Sequence, residues 1–209
     1  MTYSPPTTEQ MFVLKTIANI GAMADHEKFA DATPDMVEAI VNGIGEFASE
    51  VYAPLNRVGD VTNPKWENGK VTMPPGFKEA YAQFVEAGWG SIDGPTEYGG
   101  QGLPFTLAAV IMEALGTANM GFTLCPILSA GAIHALMAYG SQEQCDTYLP
   151  KIVSGEWTGT MNLTEPQAGT DVGALRTIAT PAADGTWRIK GSKIFITWGE
   201  HDVAENIIH

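Results

Sequence analysis

Apolar residues recur three and four positions apart through most of the chain, and from Trp157 onward the period changes to two. The first regime reads as amphipathic helices, the second as strands. Phe12, Val13, Ile17 and Ile20 follow Thr7-Thr8-Glu9-Gln10, which predicts a helix with Thr7 as N-cap, ending before Asp25. Thr33-Pro34-Asp35 predicts a second start, with Thr33 capping, Pro34 in the first turn and Asp35 at the positive end of the dipole. Its buried face would carry Met36, Val37, Ile40, Ile44, Phe47 and Val51, and Pro54 would end it. Gly43 and Gly45 either weaken this helix or let a neighbour pack close. Asn56 to Pro75, rich in Pro, Gly and Asn, reads as a surface excursion.

Phe77 to Ala87 predicts a helix with Tyr81, Phe84 and Val85 towards the core. Leu103–Leu115 and Phe122–Tyr139 are apolar nearly all round, as expected of two buried central helices. His134 then reads as a satisfied core histidine, and Pro126 as a residue near a helix start. Ser141-Gln142-Glu143-Gln144 is a capping box opening a short helix towards Leu149. In the period-two region, Trp157–Thr164, Lys193–Trp198 and Val203–His209 predict single strands. Arg176–Ala182 and Thr186–Lys190 predict a hairpin across Ala183-Asp184-Gly185. The expected organisation is an N-terminal helical extension over 1–32, an all-α domain over 33–156, and an antiparallel β-domain beginning at 157. A sheet that stops in mid-strand at 209 leads us to expect the N-terminal part of a longer polypeptide.

Composition narrows the function classes. The chain has 209 residues, 44% of them hydrophobic, and a net charge of −13. That charge argues against nucleic acid or an anionic membrane as main partner. Cys125 and Cys145 make no disulfide framework, and no His/Cys cluster suggests zinc or another metal. No run reaches the ~18 apolar residues of a membrane span. No basic region precedes the first apolar stretch as in a signal peptide. A cytoplasmic protein with reduced thiols is the expectation.

The stretch with most chemical promise is Met161-Asn162-Leu163-Thr164-Glu165-Pro166-Gln167-Ala168-Gly169-Thr170-Asp171. It leaves a strand, turns at Pro and Gly, and can offer the Thr164 and Thr170 hydroxyls and the N–H groups around Gly169 to a polar ligand. Glu165 and Asp171 read as acceptors for loop N–H groups rather than as acid–base catalysts. The glycine-rich Trp89–Gly102 loop lacks both the P-loop lysine and the dinucleotide-binding spacing, so it reads as structural.

Leu163-Thr164-Glu165-Pro166 followed by Ala168-Gly169-Thr170-Asp171 resembles the signature of the acyl-CoA dehydrogenase family of flavoproteins. Gly191-Ser192-Lys193-Ile194-Phe195-Ile196-Thr197 matches a second family segment, in order and at the usual distance. Tyr98-Gly99-Gly100-Gln101-Gly102-Leu103, Tyr139–Gln144 and Tyr148-Leu149-Pro150 fit the same pattern, so the likeness runs from about Val37 onward. The continuation Trp198-Gly199-Glu200-His201-Asp202, where the family usually has Asn-Gly, resembles its long branch, associated with sulfonium-compound breakdown.

This resemblance implies an α+β protein, a helical bundle followed by a β-domain. It implies FAD-dependent α,β-dehydrogenation of an acyl-CoA thioester, with α-proton abstraction by a glutamate and β-hydride transfer to flavin N5. Carried over by position, FAD would touch Met161, Leu163, Thr164, Gly169, Thr170, Phe195, Ile196 and Thr197. Thr170 stands where the family usually has Ser, and Phe195 where it often has Trp. Thr170, Phe122 and Leu124 would face the acyl-CoA, with Gly121 and Thr123 beside the acyl tail. The resemblance puts the catalytic glutamate in a further C-terminal domain, so no catalytic residue is expected here and the chain alone would be inactive. It also implies an electron-transfer flavoprotein as acceptor and a homodimer or homotetramer. An acyl-CoA oxidase of the same fold, and a truncated non-catalytic paralogue acting as a binding or assembly module, remain alternatives. A DNA-associated relative is disfavoured by the charge.

Overall fold

The computed structural model describes residues 3–209; Met1 and Thr2, the start of the expected extension, lie outside the described residues. Helices occupy the first three quarters: α1 (Thr7–Phe12), α2 (Pro34–Phe47), α3 (Ala53–Thr62), α4 (Phe77–Glu86), α5 (Phe105–Tyr139) and α6 (Gln142–Ser154). Among the described residues, one two-stranded sheet lies between these helices and two more lie in the last quarter, joined by irregular segments. β1 (Lys65–Glu67) pairs antiparallel with β2 (Lys70–Thr72), and β4 (Ile178–Pro181) with β5 (Trp187–Lys190). β3 (Trp157–Thr160) pairs in parallel with β6 (Glu205–Ile208). The α+β reading therefore holds, with one parallel pair where only antiparallel strands were expected.

The second helix starts as its sequence dictates. Thr33 Oγ1 accepts from the Met36 N–H at 3.3 Å, and Pro34 takes the first turn, where its missing N–H costs nothing. Val37, Ile40, Val41 and Ile44 are buried, whereas Met36 is exposed. A Cβ on Gly45 would lie 2.8 Å from Thr7 Cγ2, so glycine here lets the N-terminal segment lie directly on α2. Pro54 does not end the helical path. A π-helical turn at Ala48–Tyr52 precedes it, and Pro54 sits in the first turn of α3, where its missing N–H is again harmless. The expected excursion over 56–75 is thus partly helix. The remainder holds the β1–β2 hairpin, turning on Asn68-Gly69, both at positive φ.

Thr7 is not a cap: the N-cap position is Pro6 and no side chain caps the helix. After a π turn at Val13–Ile17 the first helix ends at left-handed Asn19, well before Asp25. Gln10 and Leu14 face inward, while Phe12, Val13 and Ile17 are exposed.

α5 is the central element. Its two apolar runs are continuous but broken by Asn119, whose φ/ψ of −159°/86° is non-helical, so the expected pair of helices appears as one rod with a kink. Buried Asn119 makes the break stable. Its Oδ1 accepts from the Phe122 N–H at 3.1 Å, its Nδ2 donates to the Tyr52 carbonyl at 3.3 Å, and Thr123 Oγ1 donates to its carbonyl at 2.8 Å. By length and composition α5 could cross a membrane, but its buried residues pack against α2, α3, α6 and β3 as a core helix does.

Two clusters form the core. One gathers α2, α4 and α5 around Tyr52, Phe77 and Phe122, with ring centroids 4.5 Å (Tyr52–Phe122) and 4.6 Å (Phe77–Phe122) apart. The other joins Ala132 and Ile133 to Cys145, Leu149, Ile152 and Val153 of α6. Ser141 opens α6 with both bonds of its capping box: Gln144 N–H to Ser141 Oγ at 3.2 Å, Ser141 N–H to Gln144 Oε1 at 2.8 Å. The helix runs on through Pro150 to Ser154, past the expected end at Leu149. Both cysteines are free and buried, and burial pushes the Cys125 thiol up to about 12.

Candidate functional site

The expected strand from Trp157 stops at Thr160, and Met161–Thr164 leaves it as an extended ledge. The segment Lys193–Trp198 is not the expected strand either. It is irregular, because Phe195 (φ 56°) and Trp198 (φ 52°) are left-handed and cannot sit in a ladder. It is nevertheless fixed against the ledge. The Ile194 N–H donates to the Thr164 carbonyl at 3.0 Å, Lys193 Nζ to the Leu163 carbonyl at 2.9 Å, and Thr160 Oγ1 to the Thr197 carbonyl at 2.6 Å. The two sequence motifs thus lie side by side, although 30 positions separate Leu163 from Lys193.

What this ledge exposes is mixed. Met161 and Leu163 are partly open to solvent and Phe195 is 87% exposed, so apolar surface is on offer. Among the described residues, the N–H groups of Leu163 and Thr164 and the hydroxyls of Thr164 and Thr197 have no protein partner. Reciprocal bonds between Glu165 and Ala168 at 3.0 Å close a turn at Pro166-Gln167, and Gly169 and Thr170 follow it in an exposed bend; a Cβ on Gly169 would meet open space. Ile196 and Thr197 are half-buried.

Glu165 is buried beneath the ledge. Its carboxylate accepts from the N–H groups of Thr177 (2.9 Å) and Arg176 (2.8 Å), from Lys193 Nζ (3.0 Å) and from Gln167 Nε2 (2.6 Å). Bonds from Thr177 and Arg176, then from Lys193 and Gln167, hold it far below the usual carboxylate range. Asp171 Oδ1 accepts from the Gly173 N–H at 3.1 Å. Both acids therefore bond loop N–H groups, as expected of them.

Beside the ledge opens a cleft of about 620 Å³. It is lined by Phe77, Asn119, Gly121 and Phe122 at the α5 kink, by Val71 and Met73 of the β2 region, and by Ile196, Trp198 and Glu200. The Met73 N–H donates to Asp202 Oδ1 at 2.9 Å, tying the β2 side to the 198–202 loop. Of the expected acyl-contact residues, fully buried Phe122 reaches this lining, Thr123 is buried and Leu124 is partly exposed elsewhere on the helix. Thr170 is not part of the lining.

Trp198, Asn206 and His201 were not singled out as site residues, yet they hold the cleft wall. Trp198 Nε1 donates to the Gly121 carbonyl at 3.0 Å, and its ring stacks on Phe122 (centroids 5.7 Å, planes 12° apart). Asn206 Nδ2 donates to the carbonyls of Trp198 (3.2 Å) and Gly199 (2.8 Å). His201, buried, has Nε2 3.1 Å from Thr158 Oγ1, and burial lowers its pKa against the opposing pull of Glu200 and Asp202. The signal available was the departure at Trp198 itself.

His134 is a correction. It is exposed, 3.9 Å from Asp93, on the wall of a second groove of about 760 Å³ that contains none of the expected site residues. The glycine-rich loop is structural, as read: a Cβ on Gly100 would come within 2.1 Å of the Gly94 backbone.

The family profile described as "Acyl-CoA dehydrogenase, N-terminal domain" matches residues 34–156. The chain belongs to the acyl-CoA dehydrogenase family. It is 44% identical over 209 residues to 3-methylmercaptopropionyl-CoA dehydrogenase of Ruegeria pomeroyi, covering 100% of this chain and 36% of that protein. Butyryl-CoA dehydrogenase from Megasphaera elsdenii superposes with a TM-score of 0.68 at 26% identity, covering 83% of this chain and 43% of that one. Acyl-CoA dehydrogenase from Bacillus anthracis, in complex with FAD, gives 0.67 at 25% identity, covering 80% and 27%. The chain thus spans about a third of the length of the curated relative it matches over its whole length.

Proposed function

We propose that this chain contributes one wall of the flavin and acyl-CoA site of an acyl-CoA dehydrogenase. The observation that carries the reading is the pairing of the two motif segments through Ile194 N–H and the Thr164 carbonyl, at 3.0 Å. The surface so formed suits a flavin ring. Unpartnered N–H groups and hydroxyls at Leu163, Thr164 and Thr197 suit its oxygen and nitrogen acceptors, and Leu163 and Phe195 suit its apolar edge. FAD is the cofactor these residues would hold, with Met161, Gly169, Thr170 and Ile196 completing the contact. Bound there, it would supply the redox chemistry by accepting hydride from the acyl β-carbon.

The chain's own residues orient and shield. Glu165 cannot serve as the α-proton base, since four donors already hold its carboxylate ionised and inward. As the family resemblance implies, the α-proton base comes from outside these residues, and residues 1–209 by themselves are expected not to turn over. The cleft at the α5 kink takes the acyl tail, with Phe122 at its base. The 44%-identical relative favours a short thioester substrate of the 3-methylmercaptopropionyl-CoA kind. An electron-transfer flavoprotein is the proposed acceptor, in line with the similar fold found in a structure described as an electron transferring flavoprotein of Acidaminococcus fermentans.

In a polypeptide of the relatives' full length carrying this chain, Thr164→Val and Thr197→Val each remove one hydroxyl from the ledge. Each is expected to shift the visible spectrum of bound flavin or slow its reduction by acyl-CoA at least ~10-fold. Spectra and reduction rates equal to wild type for both variants would contradict the assignment.

A further inference from the structure

The 198–202 loop carries an indole where its backbone least accommodates one. Trp198 is left-handed at φ 52°, a region that Asn tolerates and bulky residues avoid. Such a residue persists only where its surroundings hold it, and here they do so from three sides. Nε1 donates to the Gly121 carbonyl, the ring stacks on Phe122, and the His201 ring meets it edge-on with centroids 5.3 Å apart. The backbone is pinned by Asn206. The indole is thus a fixed, half-buried wall of the cleft rather than a mobile side chain, and it spans from the loop to the α5 kink.

We propose that Trp198 is a specificity-determining residue that limits the length of the acyl tail the cleft accepts. This rests on the reading of the cleft as the acyl pocket. An aromatic wall with a hydrogen-bonded anchor does not swing aside for extra methylenes, so a longer tail is seated only by overpacking against the ring or by drawing its inner carbons back out of the cleft, and either costs binding. The surrounding rings of Phe77 and Phe122 favour a short apolar or thioether tail.

The test compares butyryl-CoA with octanoyl-CoA in the FAD-loaded protein of full relative length, by kcat, KM and calorimetric binding. Wild type should prefer butyryl-CoA at least ~10-fold in kcat/KM. Trp198→Asn, chosen because Asn accepts the left-handed backbone, should raise the octanoyl-to-butyryl ratio at least ~10-fold, mainly through KM and the matching binding constant. Trp198→Phe, which keeps a ring, should retain the wild-type order. Wild type that takes both substrates equally overturns the proposal without reference to any variant, as does a ratio unchanged in Trp198→Asn. Wild type that neither binds nor is reduced by any acyl-CoA overturns the reading of the site itself.

Discussion

Four donors converge on Glu165, a carboxylate that the neighbouring loop cannot release without losing its shape. Its folded pKa lies below the unfolded value of about 4.3, so its contribution to stability is fully present above that pH. The contribution is lost as pH falls through about 4 towards the folded value. Glu165→Gln should therefore lower Tm at pH 7, and the gap to wild type should narrow as the pH is taken down to about 3; a melt series in pH checks it. A gap independent of pH would mean that shape, not charge, holds the loop. At this scale the sequence spoke clearly for Glu165, Asp171 and Thr33, because short polar side chains bond locally. It misled at His134, since an apolar run does not reveal which helix face lies open. It flagged Trp198 as a departure from the family pattern but gave no hint that Trp198 and Asn206 form the cleft wall, because the indole's partner, Gly121, lies far along the chain.

At the scale of elements, the caps at Thr33 and Ser141 and the 183–185 turn were legible, the cap expected at Thr7 is not formed, and the breaks were not legible. The Ser141 capping box is formed in full, and Ser141→Ala should cost about 1 kcal/mol, read by denaturant unfolding; no change would mean that α6 is held by its core contacts alone. The β4–β5 hairpin lies where Ala183-Asp184-Gly185 put it. Asn68-Gly69, an equally strong hairpin signal inside the Pro- and Gly-rich stretch expected to be an excursion, carries β1 and β2. Pro54 reads as a stop because proline breaks helix interiors, but a π turn upstream resets the register so that it sits in the first turn of α3. The Lys193–Trp198 strand failed because two left-handed aromatics bend the segment towards the ledge and the cleft, which is what assembles the site.

At the scale of the molecule, α5 joins the bundle to the sheet region, and its kink at Asn119 brings Gly121 and Phe122 to the cleft. The switch in hydrophobic period marked the passage from helices to strands, but not which strands pair. The parallel β3–β6 ladder joins Thr158 to a strand whose Glu205 lies 47 positions on, and no local pattern encodes it. The β4–β5 hairpin leaves Trp187 and Ile189 on one open face, beside Ala179 and Pro181. The central claim, that the paired ledge and cleft serve flavin-dependent oxidation of an acyl-CoA, is most directly tested by anaerobic mixing of FAD-loaded protein of the relatives' full length with acyl-CoA thioesters, 3-methylmercaptopropionyl-CoA among them. The account predicts that the visible flavin absorbance bleaches on mixing. An oxidised flavin spectrum unchanged across the panel, or a protein that takes up no FAD, would contradict it.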